Sequence, residues 1–121
     1  MSDLQRQLDR EMDAFREAQR ELQKIVQART QLERQSNEND LVMQELARLD
    51  DSANVFKLIG PALIKQDLTE AKANVGKRLD FIKGELGRVD SQIKVLQDKA
   101  VARQQEIMKL RQRAAGPVGG N

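Results

Sequence analysis

The composition of the chain excludes most catalytic and metal-binding chemistry. Its 121 residues are 33% charged, and the three aromatic residues are all phenylalanine, which is little aromatic bulk for an ordinary compact core. The chain has no Cys and no His, so disulfides, thiolate or imidazole catalysis and metal sites built from these ligands are excluded. Lys and Arg number 21 against 19 Asp and Glu, and their interleaving leaves no basic patch for a nucleic acid.

The first fifty residues predict a long helix at about residues 3–50. Ser2 and Gln5 have the spacing of a capping box at its start, and apolar residues then recur at alternating steps of three and four. Polar residues at such seam positions most often fix the register of a coiled coil at a cost in stability, and the alternative is a local weakness that lets the helices flex. The predicted seam consists of Met1, Leu4, Leu8, Glu11, Phe15, Ala18, Leu22, Ile25, Arg29, Leu32, Ser36, Asn39, Met43, Leu46 and Asp50.

A second helix is predicted at about residues 67–114, with Asp67 and Glu70 as its capping pair. Matching lengths and opposite net charges predict that it folds back on the first helix, so the expected fold class is mainly α, a long antiparallel two-helix coiled coil. In that register Glu11 lies near Arg103, which predicts a cross-helix ion pair. The second seam consists of Leu68, Lys72, Val75, Leu79, Ile82, Leu86, Val89, Ile93, Leu96, Ala100, Arg103, Ile107, Leu110 and Ala114.

Between the helices, a β-hairpin is predicted at about residues 53–66, with Gly60 and Pro61 at its turn. A lone hairpin is marginal in water, and this one is apolar on both faces, so each exposed side chain forgoes about 1.5–3 kcal/mol of burial. We therefore expect it to pair with strands of other chains; the alternative is a connector packed only on its own helices. The predicted assembly residues are Val55, Phe56, Leu58, Ile59, Gly60, Pro61, Leu63 and Ile64, and the apolar residues off the seam nearby are Leu41, Val42, Leu49 and Phe81.

Residues 55–82 carry a specific family resemblance. The string Val-Phe-Lys-Leu-Ile-Gly-Pro at 55–61, followed by Asn-Val-Gly-Lys-Arg-Leu at 74–79, resembles the beta-type subunits of prefoldin. The rest of the chain resembles them in heptad pattern and length. Gly84 and Gly87 depart from a good helix, since each costs roughly 1 kcal/mol relative to Ala. A Gly-Pro pair at 116–117 is a second departure, because we expect it to shorten the distal end of the coil.

This resemblance implies one prefoldin beta-type domain at residues 1–115, followed by a flexible tail at 116–121. It also implies a hetero-hexamer of two alpha-type and four beta-type subunits, whose hairpins form a β-barrel body from which six coiled coils hang. Such an assembly is an ATP-independent holdase. It captures unfolded or nascent chains, notably actin and tubulin, at the coiled-coil tips and delivers them to the cytosolic group II chaperonin. The resemblance implies no cofactor, no metal and no catalytic role.

Client contact is expected at the free ends of the helices, where apolar surface is not fully used inside the coil. Met12 and Met108 lie off the predicted seam, and the flexible thioether of Met suits adaptable surfaces. The other candidates belong to the seam, so closing the coil is their alternative role. The basic residues Lys109, Arg111 and Arg113 are interpreted as cations favoured by the helix dipole, and contact with an acidic chaperonin patch is the alternative. The client-binding candidates are Leu4, Leu8, Met12, Ile107, Met108 and Leu110.

Other classes of protein fit the sequence less well. A structural coiled-coil adaptor or scaffold without chaperone activity is the main alternative, and it would not require the hairpin. A nucleic-acid-binding zipper needs a dense basic block, which acidic residues interrupt everywhere in this chain. An enzyme is the least favoured class. The polar N-terminus does not resemble a signal peptide, and no run of 18 apolar residues predicts a membrane span, so a cytoplasmic location is expected.

Overall fold

Two long helices joined by an antiparallel β-hairpin make up the fold, which confirms the predicted fold class. The computed structural model describes residues 2–116, so residues 117–121 of the predicted tail lie outside the described residues. No described helix has an apolar stretch long enough to cross a membrane. The elements are α1 (Asp3–Ala47), β1 (Val55–Ile59), β2 (Ala62–Gln66) and α2 (Leu68–Ala115).

The chain divides into two compact units. Arg29–Arg88 contains the hairpin and is called the hairpin unit below. Met1–Ala28 and Val89–Asn121 together form the terminal unit. Both helices contribute a segment to each unit, and each unit has its own cluster of buried apolar side chains.

Side-chain hydrogen bonds mark the start of α1 and the turn after its end. Ser2 Oγ accepts a hydrogen bond from the backbone N–H of Gln5 at 3.1 Å, which satisfies one of the free amides of the first turn. The helix ends at Ala47, whereas the sequence placed its end near residue 50. The Asp50 carboxylate accepts hydrogen bonds from the hydroxyl and the backbone N–H of Ser52, at 2.5 and 2.9 Å. This local turn competes with helix continuation, and its hydrogen bonds lower the pKa of Asp50.

Helix α2 is capped at both ends. Asp67 Oδ2 accepts a hydrogen bond from the backbone N–H of Glu70 at 3.3 Å, and the Asp67 carbonyl accepts one from Ala71 at 2.9 Å. At the other end, Gly116 has a φ of 72°, a left-handed conformation that glycine adopts without steric cost. Its N–H donates to the carbonyl of Arg113 at 3.1 Å, which ends the helix.

Ion pairs between residues three or four apart lie mainly along α1, with a further pair in α2. Each such pair stabilises an isolated helix by about 0.2–0.5 kcal/mol. The hydrogen bond from Arg20, together with its charge, lowers the pKa of Glu17. The pairs are Asp3–Arg6, Asp13–Arg16, Glu17–Arg20, Arg29–Glu33, Glu45–Arg48 and Glu85–Arg88.

The core of the hairpin unit lies where the end of α1 meets the start of α2. Leu46 of α1 packs with Ala71, Val75 and Leu79 of α2, and all four side chains are buried. Contact between the last turns of α1 and the first turns of α2 requires that the two helices run antiparallel in this unit. Met43, Val55 and Leu68 pack against the cluster from its margins.

The core of the terminal unit joins the start of α1 to the end of α2. Leu8 is buried against Ile107 and Leu110, and the partly buried side chains around them are Leu4, Met12 and Phe15. Leu110 is the most enclosed of the three, with 2% of its surface exposed. The helices are therefore antiparallel in this unit as well, as the two seams predicted.

Candidate functional site

The β-hairpin presents apolar side chains on both of its faces. Leu58 lies opposite Leu63 in the antiparallel register, and Lys57 lies opposite Ile64. Because successive residues of a strand point to opposite faces, these two pairs lie on different faces. Phe56 belongs to the face of Leu58, whereas Val55 and Ile59 belong to the face of Ile64. Between 49% and 68% of the surface of Phe56, Leu58, Ile59, Leu63 and Ile64 is exposed.

Only the base of the hairpin is covered by its own helices. Val55 is half-buried and packs against the cluster that contains Leu46 and Val75. Its partner across the ladder, Gln66, is also half-buried, whereas every residue from Phe56 to Lys65 is exposed. The helices of this chain therefore anchor the hairpin and leave most of its apolar surface uncovered.

Gly60 and Pro61 form the turn between the strands. Gly60 has a φ of 56°, in the region that favours glycine, and apart from its two chain neighbours no atom lies within 4 Å of the place where its Cβ would be. A two-residue hairpin turn with a positive φ at its first position matches the right-handed twist of the strands. Since a side chain would have room here, the positive φ is the reason that this position requires glycine.

Apolar side chains outside the hairpin extend this surface. Leu41, Val42 and Leu49 are exposed around the end of α1, and Phe81 of α2 is 68% exposed. The sequence singled out these four residues because they are apolar and lie off the seam. Their exposure shows that the hairpin unit carries uncovered apolar surface on its helices as well as on its strands.

A groove of about 250 Å³ opens beside β1, between the hairpin and the two helices of the hairpin unit. No local sequence pattern predicts it, because its walls combine the end of α1, the hairpin strands and the start of α2 within residues 42–78. Asn74 and Arg78 entered the sequence argument only through the family resemblance, and their i, i+4 spacing on the flank of the α2 seam was the available signal that they share a surface. The groove is lined by Val42, Leu46, Val55, Phe56, Lys57, Gln66, Ala71, Asn74, Val75 and Arg78.

In the terminal unit, most of the client-binding candidates are used inside the coil. Leu8, Ile107 and Leu110 are buried, and Leu4 packs against them. Met12 was predicted to lie off the seam, yet it is half-buried against the same cluster, since this end of the unit packs more widely than a strict heptad seam. The remaining candidate, Met108, is 57% exposed.

Polar residues occupy the seam where the heptad pattern placed them. Ser36 is buried, and Arg29 and Asn39 are half-buried. Asn39 Nδ2 donates to the carbonyl of Gln35 at 2.7 Å, and its Oδ1 accepts a 3.4 Å hydrogen bond from Arg78 of α2. In the terminal unit, Arg103 donates to Glu11 across the helices, which confirms the predicted ion pair.

The basic residues near the end of α2 surround open, charged surface. Lys109 and Arg113 line a cavity of about 590 Å³ together with Glu106, Gln112 and Gly116. Lys109, Arg111 and Arg113 are all exposed to solvent. The presence of Glu106 among them makes the charge of this surface mixed.

Comparisons with known proteins agree on one family. The family model described as "Prefoldin subunit" matches residues 9–114. The chain is 44% identical to prefoldin subunit 6 of Arabidopsis thaliana over 111 residues, which cover 92% of this chain and 86% of that protein. It is 48% identical to prefoldin subunit 6 of Homo sapiens over 84 residues, which cover 69% of this chain and 65% of the human protein.

A solved structure supports the fold. The prefoldin beta subunit from Thermococcus strain KS-1 superposes with a TM-score of 0.82 and covers 90% of this chain, with 96% of that chain matched. The two sequences are 22% identical, so this likeness concerns the fold alone. It is the same arrangement of two helices and a hairpin that the heptad pattern and the turn residues predicted.

Proposed function

The chain belongs to the prefoldin subunit family, and we propose that it serves as one subunit of a hetero-hexameric, ATP-independent co-chaperone that holds unfolded proteins. The uncovered hairpin is the observation that carries this proposal. Within the described part of the chain, its two apolar faces are covered only at the base, by the packing of Val55, and the other large apolar side chains are about half to two-thirds exposed. Association with the hairpins of alpha-type and beta-type partner subunits would cover them.

The energetic argument for assembly rests on burial. Each exposed Leu, Ile or Phe of the hairpin gains about 1.5–3 kcal/mol when it is fully removed from water. The strand edges also carry backbone amides and carbonyls that a neighbouring strand can pair. Both gains favour a closed arrangement of several hairpins, and neither is available to a two-stranded sheet by itself.

The terminal unit is the proposed site of client contact. Met108 is exposed beside the buried pair Ile107 and Leu110, so it presents an unbranched apolar side chain on a well-anchored helix. Unfolded polypeptides offer short apolar segments of variable shape, and Met adapts to such partners. Proposed clients are unfolded chains such as nascent actin and tubulin, which the complex would pass to the group II chaperonin in the cytoplasm.

Capture from a eukaryotic cytosolic extract, followed by native mass measurement, tests the assembly. A tagged chain is expected to bring down a complex of six subunits, and a chaperonin under mild washing conditions. Replacing Leu58 and Leu63 with Ser should abolish recovery of the complex, because these two are the most exposed of the hairpin's large apolar side chains and lie opposite each other. The matched control replaces Val95 and Val101, two exposed residues of the terminal unit, with Ser. This control variant should still recover the complex. Recovery of the tagged chain alone would contradict the proposal.

A light-scattering assay tests the holding activity. The purified complex is expected to suppress aggregation of a chemically unfolded protein without added ATP. If the six-subunit complex forms but does not delay aggregation, the proposed assembly stands and the proposed holding activity is wrong.

A further inference from the structure

We propose that Met108 is a site of reversible oxidation, at which a peroxide converts the thioether to a sulfoxide and so lowers the capacity of the terminal unit to hold unfolded chains. The inference rests on the proposed function, because it concerns control of the surface assigned to client contact. It adds to that function a chemical modification at one named atom, the Sδ of Met108.

Methionine is the only readily oxidised residue type in the chain. The sequence has no Cys, His, Trp or Tyr, so a mild oxidant meets no thiolate, imidazole, indole or phenol. It contains four Met residues, of which Met12, Met43 and Met108 lie within the described residues. Their surroundings decide which of these three reacts first, because the oxidant must reach the sulfur atom from solvent.

Packing shields two of the three thioethers. Met12 is half-buried against the buried cluster of the terminal unit. Met43 is half-buried against the cluster of the hairpin unit, and its Cε lies 3.6 Å from the place where a Cβ of Gly76 would be, so the end of this side chain is directed at α2. Met108 is 57% exposed. Solvent therefore reaches Met108 more readily than the other two.

The surroundings of Met108 can accommodate a sulfoxide. Val101 precedes Met108 by seven residues and so occupies the same heptad position on α2, and it is 52% exposed. Gln104 and Arg111 lie four residues before and three residues after Met108, so they are its neighbours on the helix surface, and both are exposed. Their side chains carry N–H donors, and a sulfoxide oxygen is an acceptor. The oxidised side chain would therefore find water and two donors around it.

The reaction is a two-electron oxygen transfer. A lone pair on Sδ attacks one oxygen of hydrogen peroxide, and the S–O bond forms as the O–O bond breaks. The proton of the transferred oxygen passes to the departing hydroxide, which leaves as water. Sulfur is oxidised and the peroxide is reduced. A methionine sulfoxide reductase reverses the change, since two thiols are oxidised to a disulfide while the oxygen leaves as water and the thioether is restored.

Oxidation would alter the surface of the terminal unit and leave its core in place. A sulfoxide is polar, so position 108 would lose the apolar and adaptable side chain that is proposed to contact clients. Ile107 and Leu110 are buried, and they pack α2 against Leu8 of α1 whatever the state of Met108. The expected result is a loss of holding activity without a loss of assembly.

Peptide mass mapping tests the selectivity of the site. The isolated chain is treated with hydrogen peroxide, and the addition of one oxygen atom to each methionine peptide is followed over time. Met108 should be oxidised about fivefold or more faster than Met12 and Met43, because it is the exposed member of the three. Equal rates at Met108 and Met12 would contradict the proposed site.

An aggregation assay tests the consequence. The oxidised chain, freed of peroxide, is assembled with untreated partner subunits. Its complex should suppress aggregation of a chemically unfolded protein about twofold less than the complex of the untreated chain, and reductase treatment should restore the difference. In the Met108→Leu variant, peroxide treatment should leave suppression at whatever level it had before. The matched control is Met43→Leu, in which peroxide should still lower suppression.

The outcomes separate this inference from the proposed function. If Met108 is oxidised selectively but suppression does not change, control by oxidation is wrong and the holding activity stands. If peroxide weakens the Met108→Leu complex as much as the complex of the natural chain, another residue is responsible and the inference is wrong. If the untreated complex does not suppress aggregation, the holding activity and its control fail together.

Discussion

Arg103 donates from Nη1 to both carboxylate oxygens of Glu11, at 3.2 and 3.1 Å, and so links α2 to α1 across 92 positions of the sequence. The Glu11 side chain is 22% exposed and that of Arg103 is 50% exposed. Both residues occupy seam positions at which an apolar side chain would pack. The pair therefore fixes the alignment of the helices in the terminal unit, at the cost of two apolar contacts.

Removal of the two partners of this pair should have unequal effects. Arg103→Met leaves the largely covered carboxylate of Glu11 without its donor, and we expect a loss of about 1–3 kcal/mol in the free energy of unfolding. Glu11→Gln leaves a neutral amide that keeps hydrogen-bonding capacity, with an expected loss of about 0.2–1 kcal/mol. Urea unfolding of the isolated chain measures both. A larger loss for Glu11→Gln would show that the carboxylate is better solvated than its exposure indicates.

Two glycines in α2 offer a direct gain in stability. Apart from their chain neighbours and the nearby backbone of their own helix, no atom lies within 4 Å of the place where a Cβ of Gly84 or Gly87 would be. Neither glycine has a positive φ, so each Ala substitution should stabilise the chain by about 0.5–1 kcal/mol through helix propensity. Gly60→Ala is the contrasting variant. It should destabilise the hairpin by about 1–2 kcal/mol, because Gly60 has a φ of 56°. If the midpoint temperature of thermal unfolding does not rise for either α2 variant, the conclusion that each position has room for a Cβ would be wrong.

The two off-seam methionines should respond differently to substitution. Met108→Ser is expected to weaken suppression of client aggregation and to leave thermal unfolding nearly unchanged, because Met108 is 57% exposed. Met12→Ser should lower the stability of the isolated chain by about 1–3 kcal/mol, since Met12 packs against the buried cluster of the terminal unit. Aggregation assays paired with thermal unfolding separate the two effects. Full holdase activity of the Met108→Ser complex would remove this residue from the client-binding site.

The Asp50 turn predicts a pH effect of defined sign. Hydrogen bonds from the Ser52 hydroxyl, and then from its backbone N–H, lower the pKa of Asp50 from its ordinary value of 3.8. The stability from these bonds is therefore present above pH 3.8 and is lost as the pH falls through the lower pKa of the folded state. Ser52→Ala removes the larger of the two causes and should raise the pKa of Asp50 toward 3.8, as followed by a carboxyl NMR titration. An unchanged titration in this variant would show that the hydroxyl does not hold the carboxylate.

Much of the architecture was accessible from local sequence patterns. The apolar repeat identified the buried residues Leu8, Ala18 and Leu46, and it also placed Ser36 in the seam. This was possible because the spacing of residues along a helix alone decides which of them share a face. The end of α1 was less predictable. The types of residue at Asp50 and Ser52 predict a helix stop there, and their hydrogen bonds form that turn, but the helix itself ends earlier, at Ala47.

The surfaces were harder to predict than the helices. Met12 is half-buried because the cluster around Leu110 is wider than one seam position, which depends on how two distant helix ends pack. The groove beside β1 is similar, since Val42, Phe56 and Arg78 meet there only after the chain has folded. Local sequence patterns mark Met12, Val42 and Phe56 one by one but do not mark Arg78, and the surfaces that these residues form are tertiary properties.

Replacing residues 55–66 with a flexible Gly-Ser linker of equal length gives the most direct test of the hairpin as the assembly element. Native mass measurement after mixing with the partner subunits should find the unmodified chain in a six-subunit complex. The variant should remain outside it, while circular dichroism shows that its helices persist. A helical variant that still enters the complex would contradict the account and favour a coiled-coil adaptor, for which the hairpin is not needed.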